Sequence, residues 1–153
     1  MGIKAAVKRW LGLGPVTVKV MGGDVPAPAT DGAACFDIRA SEDQIVAIGT
    51  RRAIGTGLAF EMPPGFAMLV FSRSGHGFKL GVSLANCVGV IDSDYRGELL
   101  VCLRNDGDQV LRINKGDRIA QGMVLPVPVV HPVLANSLGD TVRGINGIGS
   151  TGA

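Results

Sequence analysis

Aromatic residues are scarce in this chain, with five Phe, one Tyr and one Trp among 153 residues. Against that scarcity stand 23 glycines and eight prolines, a balance that favours many short strands joined by tight turns and leaves helices few places to run. Long apolar runs are missing too. Nothing approaches the roughly 18 apolar residues of a membrane span, and Met1 to Pro15 has neither an apolar signal core nor a small-residue cleavage pattern. The expectation is a soluble, cytoplasmic protein with no membrane partner. Cysteine is sparse: Cys35, Cys87 and Cys102 are odd in number, sit in apolar contexts and lack paired metal spacing, which argues against a disulfide framework and a zinc centre and for a reducing compartment. No excess of one charge is present either. Fifteen Lys and Arg against thirteen Asp and Glu leave a net +2, so charge provides no nucleic-acid footprint, and any bound polyanion should be small and local.

The length suits one domain with a real core. Residues 1–14 alone have helical spacing, with Ile3, Val7, Trp10 and Leu11 on one face and Lys4 and Lys8 on another; residues 1–15 are read as an N-terminal extension. From Val16 the pattern becomes β. Strands are expected over Val16–Val20, Gln44–Ile48, Thr56–Met62, Phe66–Phe71, Val82–Ala85, Leu99–Arg104, Gln109–Ile113 and Ile119–Val127. Pro63-Pro64-Gly65 predicts a type II turn, and Asn105-Asp106-Gly107-Asp108 a hairpin turn between the strands that flank it. A polar arm, residues 134–153, follows a β core over residues 16–133.

Two knots of polar residues interrupt the strands. Ser72-Arg73-Ser74-Gly75-His76-Gly77 combines a fixed cation, hydroxyls and glycines at a strand end, which suits phosphate oxygens, and a short helical turn is expected from Ser74. Asn86 to Gly97 reads as a hairpin with Asp92 and Tyr95 at its bend, running on into Leu99–Leu103. A carboxylate there could orient a water and a tyrosine could lie flat against a ring. By itself the block reads first as a surface hairpin with solvated acids, because loops are mostly polar connections. Asp37 is an acid inside an apolar strand and needs a partner or a task; Gln121 is the polar exception in the last long strand. In the arm, Arg143, a Gly-rich backbone and Ser150-Thr151 are the parts of a phosphate cradle and could form a lid.

Five blocks in order, ATDGAACFDIRA, SRSGHGFKLGVSLAN, GVIDSDYRGEL, GDRIAQGMVLPV and RGINGIGSTG, make the chain resemble the trimeric dUTPase family. The resemblance implies an all-β, distorted jelly-roll (β-clip) subunit with at most one or two short helices. It also implies a homotrimer with shared active sites and a flexible C-terminal arm that closes over a neighbouring site. The implied reaction is hydrolysis of dUTP to dUMP and diphosphate. Asp92 would activate the water that attacks the α-phosphorus, and Tyr95 would pack on the deoxyribose and exclude a 2′-hydroxyl. Asn86, with the backbone around Val90, Ile91 and Leu100, would read uracil. Arg73, Ser74, Gly75 and Gln121 match phosphate-binding blocks, and Arg143, Gly149, Ser150 and Thr151 a γ-phosphate clamp. The implied cofactor is Mg2+, held mainly by the triphosphate, with Asp37 steadying its waters. Ile148 departs from the pattern, standing where the family usually places an aromatic over the base, and Cys35 replaces a more usual glycine. A dCTP deaminase on the related fold would need a glutamate at the base, which Asn86 to Asp92 does not offer.

Overall fold

The protein is described by a computed structural model that covers Gly14 and residues 16–147. Eleven strands follow in chain order: β1 Lys19–Gly22, β2 Phe36–Arg39, β3 Gln44–Val46, β4 Arg51–Gly55, β5 Leu58–Glu61, β6 Phe66–Phe71, β7 Val82–Leu84, β8 Gly89–Ile91, β9 Leu100–Asn105, β10 Leu111–Ile113 and β11 Arg118–Pro126. One helix among the described residues, α1 Ser74–Leu80, lies between β6 and β7, where a short helical turn was expected. No helix among them is long and apolar enough to cross a membrane. The helix expected over residues 1–14 falls outside the described residues, Gly14 apart.

Every strand pairing is antiparallel. The strands form a four-stranded sheet ordered β2-β11-β6-β8, a three-stranded sheet β4-β9-β7, and the two-stranded pairs β1-β5 and β3-β10. Alternation along β9 sends Val101, Leu103 and Asn105 inward, and they meet Ile38, Val46, Ile54, Met68 and Ile119, all nearly inaccessible. Each such aliphatic side chain contributes about 1.5–3 kcal/mol relative to exposure. The core is aliphatic because period-two strands with few aromatics can fill it no other way. Phe60, buried in the core, stacks on the partly buried Phe36, with centroids 6.2 Å apart.

Two expected hairpins are not hairpins. β10 pairs with β3, not with β9, so the Asn105-Asp106-Gly107-Asp108 turn is a corner between sheets. The reason is Asn105. Its buried amide donates to Val46 O at 3.0 Å and Gln109 O at 2.8 Å and accepts from Gly107 N at 3.0 Å, which turns the chain across the core and satisfies a polar group there. Likewise β8 pairs with β6, and β9 with β4 and β7; the two arms expected to pair around Asp92 diverge into different sheets. The first strand begins at Lys19 rather than Val16, and β4, whose Arg51 and Arg52 point outward, was hidden by its charge. The Pro63-Pro64-Gly65 turn is as expected, with Gly65 at φ +82° and Phe66 N donating to Pro63 O at 3.3 Å.

Candidate active site

The divergence of β8 and β9 creates the first half of the site. β8 is an edge strand, and the pairing of β9 with β7 runs only from Leu103 to Asn105, continued by a bond from Ala85 N to Cys102 O at 2.8 Å. Main chain at Val90 and Leu100 is therefore left facing a gap, and these side chains are 62% and 58% exposed. A cavity of about 290 Å³ occupies the gap, lined by Val90, Ile91, Asp92, Tyr95, Glu98, Leu99 and Leu100, a size at the small end for an organic ligand. At its mouth, Tyr95 N donates to Asp92 O at 3.2 Å, which closes the turn. The phenol donates to Glu98 O at 3.0 Å and the ring covers Gly97. A Cβ on Gly97 would stand 2.6 Å from Tyr95 Cζ, so glycine there is what lets the ring lie flat. Asp92 is exposed, and among the described residues no cation pairs with it.

The second half of the site is a charged cluster. In the four-stranded sheet Gln121 pairs with Asp37 on one side and Phe71 on the other, which puts the three side chains on one face. Arg73 follows two residues beyond. Its Nε stands 3.7 Å from Asp37 Oδ1, Arg118 Nη1 stands 3.3 Å from Asp37 Oδ2, and Arg73 Nη1 donates to Arg118 O at 3.1 Å. Asp37 is 14% exposed and Arg73 22%, so the acid has the partner its burial requires. A bulge in β11 explains the role of Arg118. The register jumps so that Arg118, not Ile119, opposes Arg39; Arg118 shares the face of Asp37 while Ile119 stays in the core. Arg118 lies within the GDRIAQGMVLPV block and Gly97 within GVIDSDYRGEL, but neither stands out there by residue type. A larger cavity, about 560 Å³, opens beside this cluster and is lined by Asp24, Asp37, Arg39, Lys115 and Arg118 among others. Beside Asp37, burial first and then the neighbouring carboxylate push the Cys35 thiol up, so it stays protonated at neutral pH.

The two halves are far apart within one chain. Ile91 opposes Met68 on β6, so Asp92 falls level with Ala67, while Arg73 lies past the other end of that strand. Six residues of extended chain separate those levels, roughly 20 Å at about 3.3 Å per residue. Asn86 is exposed at the base of the β8 arm, beside Cys87, which holds φ +63°. Ser74 and Gly75 open α1 and are exposed. Arg143 is held in a local turn, its Nε donating to Asn146 O at 3.0 Å. Ile148, Gly149, Ser150 and Thr151 lie outside the described residues.

A family model described as dUTPase matches residues 22–152. The chain belongs to the dUTPase family. Among curated relatives, the deoxyuridine 5′-triphosphate nucleotidohydrolase of Desulfitobacterium hafniense is 50% identical over 131 residues, 84% of this chain and 87% of that protein. That of Nautilia profundicola is 45% identical over 128 residues, 84% of this chain and 90% of the relative. Among solved structures, a point mutant of the dUTPase of Staphylococcus bacteriophage 80alpha with dUpNHpp superposes with TM-score 0.83 at 24% identity, covering 90% of this chain and 99% of that one. The dUTPase of Streptococcus mutans gives TM-score 0.69 at 28% identity, covering 75% and 98%. The architecture is thus the all-β, jelly-roll type of the dUTPase family.

Proposed function

We propose that the chain hydrolyses dUTP to dUMP and diphosphate, with the cavity between the β8 and β9 arms taking the nucleoside and the Asp37–Arg73–Gln121 face taking the phosphates. The observation that carries this reading is the pairing of an open main-chain edge with a flat, anchored Tyr95 and a free Asp92 in one small cavity. Main-chain donors and acceptors at Val90, Ile91 and Leu100, with the Asn86 amide, suit the uracil edge. Cytosine presents the reversed pattern and would leave buried groups unpaired, the stronger form of discrimination. Tyr95, immobilised through Glu98 and Gly97, leaves no room for a 2′-hydroxyl. Asp92 orients a water and takes its proton as the oxygen attacks the α-phosphorus. The bond from the α-phosphorus to the bridging oxygen breaks, and diphosphate leaves into the Arg73, Ser74, Gly75 and Gln121 surface, whose donors match its growing charge. Arg143 and the residues Ile148 to Thr151 would close over the phosphates as an arm.

Because roughly 20 Å of strand separates the levels of Asp92 and Arg73, one chain cannot bring both to one triphosphate. The reading therefore includes a homotrimer in which each site takes its nucleoside cavity from one copy and its phosphate face from another. Mg2+ fits the same picture. Among the described residues no group of three or more His, Cys, Asp or Glu could hold a metal ion, which suits an ion carried by phosphate oxygens and water, with Asp37 as an outer partner. When bound it would neutralise triphosphate charge.

Incubating the pure protein with each dNTP and Mg2+ and measuring diphosphate and ammonia tests the reading. Diphosphate from dUTP alone is expected. Ammonia from dCTP would mean a deaminase, and binding of dUTP without turnover a nucleotide-responsive module. Sedimentation should give a trimer; a monomer with full activity would refute the shared site.

A further inference from the structure

Two polar atoms near the phosphate face are buried without a hydrogen-bond partner among the described residues, Arg73 Nε and His76 Nδ1. They are complementary, since a guanidinium Nε–H can only donate and a neutral imidazole keeps one nitrogen as an acceptor. The backbone brings the two residues together. Arg73 is the N-cap of α1, no side chain caps that end, and His76 N donates to Arg73 O at 3.1 Å. Residues three apart share a face of a helical turn, the arrangement by which a third-position side chain reaches back to the cap residue. Arg73 is meanwhile drawn away from His76: its Nη1 is bonded to Arg118 O, and its Nε faces Asp37 at 3.7 Å, beyond hydrogen-bond reach.

We propose that His76 is a positioning residue for Arg73: when triphosphate binds, His76 Nδ1 accepts the Arg73 Nε–H, which frees the guanidinium from Asp37 and the Arg118 carbonyl and aims its two terminal nitrogens at phosphate oxygens. This rests on the dUTP reading above. The charged groups acting on the imidazole are Arg73 and Asp117, and the strand packed on α1, Val82-Ser83-Leu84, brings no titratable group. Burial foremost, then the Arg73 charge, push His76 below its ordinary value against a smaller opposing pull from Asp117, so the ring is a neutral acceptor at neutral pH. Protonation converts the acceptor into a donor and sets a second cation against Arg73. Productive binding is therefore present above the His76 pKa and lost as pH falls through it.

The test compares His76→Leu, which has no acceptor, with His76→Asn, whose side-chain oxygen can occupy the Nδ1 position and does not titrate. With dUTP, His76→Leu is expected to lose about tenfold in kcat/KM, mostly through KM, as for one charge-assisted hydrogen bond. His76→Asn should stay within about twofold of wild type at mildly alkaline pH, and the ratio of wild type to His76→Asn should fall on the acid side, below the range where an ordinary imidazole titrates. Wild-type rates with His76→Leu at every pH would overturn the proposal, as would equal losses in both variants with the acid limb intact. Imidazole and guanidinium nitrogen NMR with inorganic triphosphate gives a readout independent of hydrolysis, and of whether His76→Leu folds. The expected result is an unprotonated Nδ1 and a downfield-shifted Arg73 Nε–H; an Nδ1–H tautomer or an unshifted Arg73 resonance would refute the contact. A wild type that leaves dUTP intact would sink the dUTP reading, and the NMR result would still decide the contact.

Discussion

The two ends of the four-stranded sheet present different kinds of surface. At the Asp92 end an unpaired main-chain edge is left open because β8 and β9 part company, with one aromatic ring laid beside it. At the Arg73 end it is side chains and charge, held on a common face by register and a bulge. A main-chain surface is altered only through residues that hold its shape, whereas a charged one answers to every side chain and to salt. That contrast suits a ligand with a shape-defined head and a charged tail.

The largest expected effect lies at the Asp92 end, in the carboxylate proposed to act on the water. Asp92→Asn keeps the size and a polar group, so nucleotide affinity by calorimetry should hold within a few-fold while single-turnover hydrolysis falls by about 10²–10⁴, the usual worth of a general base. Turnover near the wild-type rate would remove Asp92 from that role.

Much of this comparison was legible in the sequence, though not its geometry. Residue types at Asp92, Tyr95, Arg73 and Asp37 announced their chemistry, and the turn at Pro63-Pro64-Gly65 formed as written because its φ demands are local. Pairing partners are not local. Asn105-Asp106-Gly107-Asp108 has hairpin chemistry, but the bonds from the Asn105 amide to Val46 and Gln109 come from distant and near neighbours at once and turn it into a corner. The Asn86–Gly97 block looked like a closed hairpin for the same reason, and its opening is what provides a cavity. Arg118 reached the face of Asp37 through a bulge that no periodicity announces.

Gly97→Ala probes the shape of the main-chain end without touching any reacting group. A methyl 2.6 Å from Tyr95 Cζ must displace the ring, and a displacement of about 1 Å can cost on the order of a hundredfold in kcat/KM. The more telling readout is selectivity, since the preference for dUTP over UTP should shrink. A fall in rate with that preference intact would place the sugar check elsewhere.

Arg73→Lys makes the matching cut at the charged end. It keeps the charge and loses the planar fork, so KM for dUTP should rise about tenfold, while the dependence of kcat/KM on ionic strength keeps its slope. An unchanged KM would mean that net charge rather than geometry is what Arg73 contributes, and the contrast between the two ends would weaken.

The smallest effect concerns the bend from which the main-chain end opens. Cys87 is the one non-glycine with positive φ among the described residues, at +63°, where Cys87 N donates to Leu84 O at 3.2 Å and Val88 N to Asn86 O at 2.7 Å. An L residue there carries strain of about 1 kcal/mol, and glycine removes it at some loss of unfolded-state restraint. Cys87→Gly should therefore raise stability by about 0.5 kcal/mol, and Cys87→Val, β-branched in the same conformation, should lower it by more than about 1 kcal/mol. Denaturant melts of the pair decide the sign. If glycine stabilises and kcat/KM is unchanged, the strain is only a consequence of packing. If glycine stabilises and uracil discrimination drops, the bent backbone at Cys87 is what holds Asn86 and the open β8 edge in register with the base.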